Sequence, residues 1–142
     1  MGRIRPAWQL LPHASDVRIR ASGEDLAEAF GAAVAALAGV VTGGRPPSAQ
    51  EERAFEVTGE DAASQLVALL AECLWRLEGE AWLACKAEVA FPAPDRCTGM
   101  LRGRPFDPAR HGRGRAVKGA TWHDLVVRED DAGAVVEVLL DL

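Results

Sequence analysis

Two aspartates near opposite ends of the sequence have the chemistry of cation ligands. Asp16 closes the segment 13–16, which also contains His13, and Asp141 precedes Leu142 after an apolar run. Carboxylates supply hard oxygen atoms and imidazole supplies nitrogen, and both are metal ligands. The alternative for segment 13–16 is a turn, because Ser and Asp side chains bond the backbone in turns.

Negative charge is concentrated at the last two residues. The Asp141 side chain and the terminal carboxylate of Leu142 stand within two positions of each other. If the last strand pairs with the strand entered at Asp16, three oxygen donors converge and repel one another. A divalent cation such as Ca²⁺ would relieve that repulsion, although oxygen ligands also accept Mg²⁺ or Mn²⁺.

Positive charge is concentrated in one segment. The 142 residues include 16 Lys and Arg and 21 Asp and Glu, for a net charge of −5. Segment 102–118 has six basic residues and one acid, a net +5, which leaves −10 for the remainder. Its prolines and glycines predict a long loop. Arginines and flexible amides suit phosphate groups or an acidic protein surface, and a solvated mobile loop is the alternative.

The sequence gives little support for an enzyme. Lys118 and His123 are five residues apart, so an uninterrupted strand would point them to opposite faces unless a bulge intervenes. No Gly-x-Ser-x-Gly elbow, His-Glu-x-x-His motif or Walker A loop is present. A metal-dependent hydrolase would also lack an identifiable general base.

The cysteines and the apolar runs predict a cytoplasmic protein with no membrane contact. Cys73, Cys85 and Cys97 are odd in number and include no Cys-x-x-Cys pair, which favours buried, reduced thiols. The N-terminal residues lack the apolar core of a secretory signal. The longest apolar run, 32–41, is much shorter than the roughly 20 residues of a membrane span.

Hydrophobic spacing predicts a single α+β domain over residues 1–142, with two helices packed on one face of a mixed, mostly antiparallel β-sheet. The first helix is expected to begin near Ser22 and end at Gly43-Gly44, and the second to run from Asp61, as N-cap, to Gly79. Alternation predicts strands at 8–11, 17–21, 54–58, 86–91, 97–102, 124–128 and 134–140, with a turn at 130–133.

Taken in order, four segments resemble the motifs of the archease family. Segment 13–17 is similar to its His-Thr-Ala-Asp-Val motif, and segment 106–111 to its Phe-Asp-Pro-x-x-His loop. Segment 117–123 resembles its Val-Lys-Ala-x-Thr-Tyr-His strand, and 140–142 its Leu-Asp-Ile terminus. The resemblance spans nearly the whole chain, and the ordered set of motifs is what makes it specific.

The resemblance implies a two-layer fold and an accessory protein that is not itself an enzyme. Archeases activate the GTP-dependent RNA ligase of the RtcB type in tRNA splicing and RNA repair, by promoting its guanylylation and multiple turnover. Family members hold a divalent metal, usually calcium, at positions matching Asp16 and Asp141. The residue matching Lys118 takes part in activating the ligase. The other motif positions expected to serve the partner are His13, Asp107, Arg110, His111 and His123.

Departures from the motifs leave other possibilities open. Arg18 stands where the family often has Gly, and we expect its side chain to point away from Asp16 along the strand alternation. Trp122 replaces Tyr, and Gly119 replaces Ala. An RNA-binding module that acts through loop 102–118 is the alternative function. For the ligase activator, the expected contact with RNA is indirect.

Overall fold

A computed structural model describes residues 7–12 and 16–142 of the chain. These residues form seven strands, two long helices and one short helix. In chain order the elements are β1 (Trp8–Pro12), β2 (Asp16–Gly23), α1 (Leu26–Thr42), β3 (Glu51–Thr58), α2 (Ala62–Glu80), β4 (Trp82–Ala93), β5 (Arg96–Pro105), α3 (Pro108–His111), β6 (Gly119–Asp130) and β7 (Gly133–Asp141).

The strands divide into two antiparallel sheets, so the α+β class is confirmed. The first sheet has the order β1-β2-β7-β6 and the second the order β3-β5-β4. A single sheet with both helices on one face was expected. Helix α1 explains the second sheet, because 12 of its 17 residues are buried and such a helix must be covered on more than one side.

The first helix begins later than predicted. Ser22 and Gly23 still belong to β2, where they pair with Val135 and Ala134 of β7. Asp25 is the N-cap, and its carboxylate accepts a hydrogen bond of 2.9 Å from the Glu28 N–H. The sheet pairing of β2 therefore outweighs the helix-start signal at Ser22.

The predicted end of α1 is confirmed. Gly43 caps the helix with φ of 84°, a left-handed conformation that glycine adopts without steric cost. The turn 130–133 is confirmed as well: Asp130 and Gly133 are partners at the end of the β6–β7 ladder, and Asp130 Oδ1 accepts from the Ala132 N–H at 2.8 Å.

The second helix starts as predicted, and its C-cap lies two residues after the expected Gly79. Asp61 accepts a hydrogen bond of 2.8 Å from the Ser64 N–H, and this bond lowers the pKa of the Asp61 carboxyl. The C-cap is Ala81 with φ of 51°, whereas Gly79 stays within α2. The chain enters the buried start of β4 at Trp82, so the left-handed turn falls on the residue just before it.

The three cysteines are free and buried, as expected for inert thiols. Burial raises the pKa of the Cys73 thiol to about 12 and that of Cys97 to about 11. A thiolate is the reactive form, so these side chains act as small hydrophobic groups. None of the helices formed by the described residues has the length and apolar character needed to cross a bilayer.

Candidate functional site

Asp16 and Asp141 face each other across the β2–β7 ladder. They are paired residues in the antiparallel register, at the first position of β2 and the last of β7. Directly opposed residues of this kind have Cα atoms about 4.5–5.5 Å apart. Asp16 is half-buried and Asp141 is exposed. The neighbouring strands that the sequence reasoning required are therefore present.

Lys118 joins the same end of the first sheet through its backbone. Its N–H donates a hydrogen bond of 2.7 Å to the carbonyl oxygen of Asp141, and the next residue, Gly119, is the β6 partner of Asp141. The Lys118 side chain is exposed, whereas Leu142 is half-buried and packs against the core. Three segments distant in sequence thus meet at one end of the sheet.

The donor set of this end fits a hard divalent cation. Two carboxylates face each other here, and carboxylate oxygens are preferred ligands of Ca²⁺ and Mg²⁺. Within residues 7–12 and 16–142 no group of three or more His, Cys, Asp and Glu side chains is assembled. Among these residues, further oxygen donors for a cation would be Leu142, backbone carbonyls or water. His13 lies outside the described residues.

We expected strand alternation to point the Arg18 side chain away from Asp16, and this reasoning is wrong. Residues two apart in a strand share a face, and the buried positions of β2 are the odd-numbered ones from Val17 to Ala21. The guanidinium instead binds other groups. Its Nε lies 2.7 Å from Glu137 Oε1, and its Nη2 donates to the Asp124 carbonyl oxygen.

Glu137 is held between two arginines on this face. Arg20 Nε lies 3.2 Å from the second carboxylate oxygen, Oε2. The hydrogen bond from Arg18, aided by that from Arg20, lowers the pKa of the Glu137 carboxyl despite its partial burial. The positive charge of Arg18 is thus balanced by a carboxylate other than Asp16 or Asp141.

Strand β6 contains a large, irregular bulge immediately after its first residues. Thr121 pairs with Leu139, but the next pair is Val126 with Glu137, so the bulge places four residues where β7 has one. Asp124 within it has φ of 50°. Lys118 and His123 could share a face only if the strand alternation were interrupted between them, and this bulge is such an interruption. His123 is exposed, and its Nε2 lies 3.1 Å from Asp124 Oδ2.

The predicted long loop starts later than expected, because residues 103–105 belong to β5, whereas Arg102 was also predicted to end the strand 97–102. Arg102 lies within β5, which runs to Pro105 because Leu101 and Gly103 continue its buried alternation. The Arg102 guanidinium is 2.6 Å from Glu88 Oε1 and 3.4 Å from Glu52 Oε1. These cross-strand ion pairs remove one cation from the predicted basic loop.

Segment 106–111 folds as a capped helical turn. Asp107 Oδ1 accepts from the Ala109 N–H at 3.0 Å, and the Asp107 N–H donates to His111 Nδ1 at 3.0 Å. The His111 ring stacks on Phe106 with centroids 5.8 Å apart. Asp107 and His111 thus hold the turn itself, whereas Arg110 is exposed.

Residues 112–115 pack against the C-terminal end of α1, a contact that the sequence did not predict. The N–H groups of Gly114 and Arg115 donate to the carbonyl oxygens of Val41 and Val40, at 2.8 and 3.0 Å. Carbonyls in a last helical turn lack intrahelical partners, so these bonds satisfy them. The alternating glycines were the available signal, since a Cβ atom at Gly114 would lie 1.9 Å from the Val40 oxygen.

Comparison with known proteins gives a consistent result. The model of the Archease protein family matches residues 8–142. Protein archease of Pyrococcus furiosus is 32% identical over 123 residues, 84% of this chain and 87% of that protein. Protein archease of Methanothermobacter thermautotrophicus is 33% identical over 131 residues, 90% of this chain and 93% of that protein.

Two solved structures share the fold. A solution structure from Methanobacterium thermoautotrophicum superposes with a TM-score of 0.76 at 27% identity, covering 97% of this chain and 100% of that one. A crystal structure from Thermotoga maritima, described as an archease and possible chaperone, gives a TM-score of 0.63 at 15% identity, covering all of both chains. The second similarity is one of fold alone.

Proposed function

This chain belongs to the Archease protein family, and on that basis we propose that it activates a GTP-dependent RNA ligase of the RtcB type. It acts as an accessory protein in the cytoplasm, promoting guanylylation of the ligase and multiple turnover in tRNA splicing and RNA repair. The observation that carries the proposal is the convergence of Asp16, Asp141 and Lys118 at one end of the first sheet.

Asp16 and Asp141 hold a divalent cation in this proposal, with Leu142 as a third oxygen donor. Bound there, the cation supplies a positive charge that attracts phosphate oxygens of a nucleotide. Calcium is the proposed ion because carboxylates on opposed strands suit a cation tolerant of irregular oxygen geometry. The two side chains carry like charges at paired positions, and a divalent cation between them would neutralise both.

Lys118 contributes to activation from the adjacent position. The hydrogen bond from its N–H to the Asp141 carbonyl sets the start of β6 against the end of β7. Its ammonium group, on an exposed side chain, is available to a phosphate or a carboxylate of the partner. Arg110 and His123 are exposed and are proposed as further partner contacts. Asp107 and His111 maintain the turn that presents Arg110.

The described residues favour an accessory role over catalysis. All three cysteines are buried, and raised pKa values keep their thiols protonated. His123, which a catalytic pair with Lys118 would require, is exposed on the β6 bulge. We therefore assign the catalytic reaction to the ligase. This chain contributes charged groups, namely the proposed cation and the Lys118 ammonium group.

Multiple-turnover RNA joining tests the proposal. A limiting amount of the cognate ligase is mixed with RNA ends and GTP, and joined RNA per ligase molecule is followed over time. We expect joining to continue beyond one product per ligase only when this protein is present. Lys118→Ala should reduce the effect, whereas Lys86→Ala, an exposed lysine of β4, should not. An identical time course with and without the protein would contradict the proposal.

A further inference from the structure

Three of the arginines without an acidic partner lie near the C-terminal end of α1. Arg45, Arg113 and Arg115 are exposed, and within residues 7–12 and 16–142 they form no ion pair. We name these three residues the arginine strip. By contrast, the arginines that pair with glutamates are Arg18, Arg20, Arg53, Arg76, Arg96 and Arg102.

The two parts of the arginine strip are in backbone contact. A Cβ atom at Gly43 would lie 3.1 Å from the carbonyl oxygen of Arg113, so the turn that leads to Arg45 touches segment 113–115. Glu78 lines the same small cavity as Arg113 and Arg115, but no ion pair joins it to either arginine among the described residues. The guanidinium groups are thus available to an anion from outside.

The backbone of segment 112–115, which carries Arg113 and Arg115, is fixed to the end of α1. Two hydrogen bonds tie Gly114 and Arg115 to the end of α1, and a Cβ atom at Gly112 would lie 2.5 Å from the Thr42 oxygen. A segment so closely seated loses little additional freedom when a ligand binds. Such preorganisation lowers the entropic cost of association.

An exposed aromatic side chain lies further along the same segment. Trp122 retains 57% of its accessible surface, unusual for a residue that normally buries most of its area. It stands on the β6 bulge, whose Asp124 carbonyl is bound by Arg18. Trp122 is seven positions after Arg115, so their Cα atoms are at most about 25 Å apart.

We propose that the arginine strip and Trp122 bind single-stranded RNA. The arginines bind phosphates through paired N–H groups, and Trp122 stacks on an unpaired base. The choice of RNA rests on the proposed function, because the partner ligase acts on RNA ends. Cationic grooves combined with aromatic platforms are the features by which proteins bind single strands, over about 4–16 nucleotides. An acidic protein surface would use the arginines but not the stacking.

Fluorescence anisotropy with a labelled single-stranded RNA of about 12 nucleotides tests the inference. Arg113→Gln combined with Arg115→Gln should weaken binding and reduce the slope of log affinity against log salt by about 1.4, or about 0.7 per lost phosphate contact. Trp122→Ala should weaken binding roughly tenfold and leave the slope unchanged.

Matched controls separate the site from overall charge and hydrophobicity. Arg96→Gln combined with Arg128→Gln removes the same amount of positive charge at two exposed positions, at the start of β5 and near the end of β6. This control should keep the salt slope. Trp75→Ala removes a tryptophan that is 61% exposed on α2 and should keep the affinity. Absence of RNA binding, equal losses in strip and control variants, or no loss for Trp122→Ala would overturn the inference.

The same variants distinguish this inference from the proposed function. Guanylylation of the ligase requires GTP but no RNA, so the strip variants and Trp122→Ala should stimulate guanylylation as the wild-type protein does. Their melting temperatures are compared with that of the wild-type protein, and the single variants Arg113→Gln and Arg115→Gln repeat the test if the double variant melts early. Stimulation without RNA binding would overturn this inference alone, and RNA binding without stimulation would contradict only the proposed function.

Discussion

Asp16 and Asp141 are direct cross-strand partners, although they lie near opposite ends of the sequence. Their carboxylates belong to the two strands at the centre of the first sheet, where the order β1-β2-β7-β6 places β2 beside β7. Two like charges at adjacent positions destabilise a sheet unless a counterion separates them. This pairing and the oxygen chemistry of the two side chains support the proposed cation site.

Calcium should raise the thermal stability of the wild-type protein. A ligand at one hundred times its dissociation constant adds about 2.7 kcal/mol to the unfolding free energy, which is several degrees in melting temperature. Differential scanning calorimetry with calcium and then with chelator measures the shift. Asp16→Asn and Asp141→Asn should abolish it, whereas Asp131→Asn, at an exposed turn position, should retain it. An equal shift in all variants would place calcium elsewhere.

How much of this end was predictable differs from residue to residue. Alternation identified β2 and β7, and the charges of Asp16 and Asp141 suggested that they meet. The partners of Arg18 could not be inferred, because they depend on the register with Glu137 and on the bulge that brings the Asp124 carbonyl into reach. Local pattern identifies strands, whereas register is decided by packing across the sheet.

The division of the strands into two sheets was not predicted either, because it also depends on packing between distant elements. The apolar stripe of α1 was read as a single face, but alanines and glycines on its other sides are buried too, among them Gly31 and Gly39. A Cβ atom at Gly31 would lie 2.5 Å from the Ala87 oxygen of β4, so the second sheet approaches the helix backbone closely. Small residues carry a weak hydrophobic signal, and this contact was therefore not predicted.

Glu137 should contribute a pH-dependent increment of stability. Hydrogen bonds from Arg18 and Arg20 lower its pKa in the folded state, so its contribution is fully present above the ordinary value of 4.5 and is lost as pH falls through the lowered value. Glu137→Gln should therefore reduce the unfolding free energy by about 1 kcal/mol at neutral pH. Urea denaturation at a series of pH values should show the difference shrinking in acid. A constant difference at all pH values would contradict the assignment, and Glu60→Gln, at an exposed position, is the control.

Gly114→Ala should destabilise the protein by about 2–3 kcal/mol. The added methyl group would lie 1.9 Å from the Val40 oxygen and 2.5 Å from the Gly43 nitrogen, so segment 112–115 must leave the end of α1. Gly119→Ala is the matched control, because no atom lies within 4 Å of its Cβ position. Chemical denaturation compares the two, and equal effects would show that the close seating of Gly114 is not the cause.

Ala81→Gly should stabilise the protein by roughly 1 kcal/mol. Ala81 has φ of 51° at the C-cap of α2, and a left-handed conformation costs a residue with a Cβ atom about 1–2 kcal/mol that glycine avoids. Ala71→Gly, at an exposed position inside the same helix, should lower stability by about 1 kcal/mol. Thermal unfolding that shifts both variants in the same direction would contradict the capping role of Ala81.

The most direct test of the central claim is the rate at which the cognate ligase becomes guanylylated from labelled GTP. We predict that the wild-type protein and Asp131→Asn accelerate label incorporation, and that Asp16→Asn and Asp141→Asn do not, although all four fold. Chelation should remove the acceleration from the first two, and added calcium should restore it. Full acceleration by Asp16→Asn and Asp141→Asn, or none by the wild-type protein, would contradict the assignment of this carboxylate pair to ligase activation.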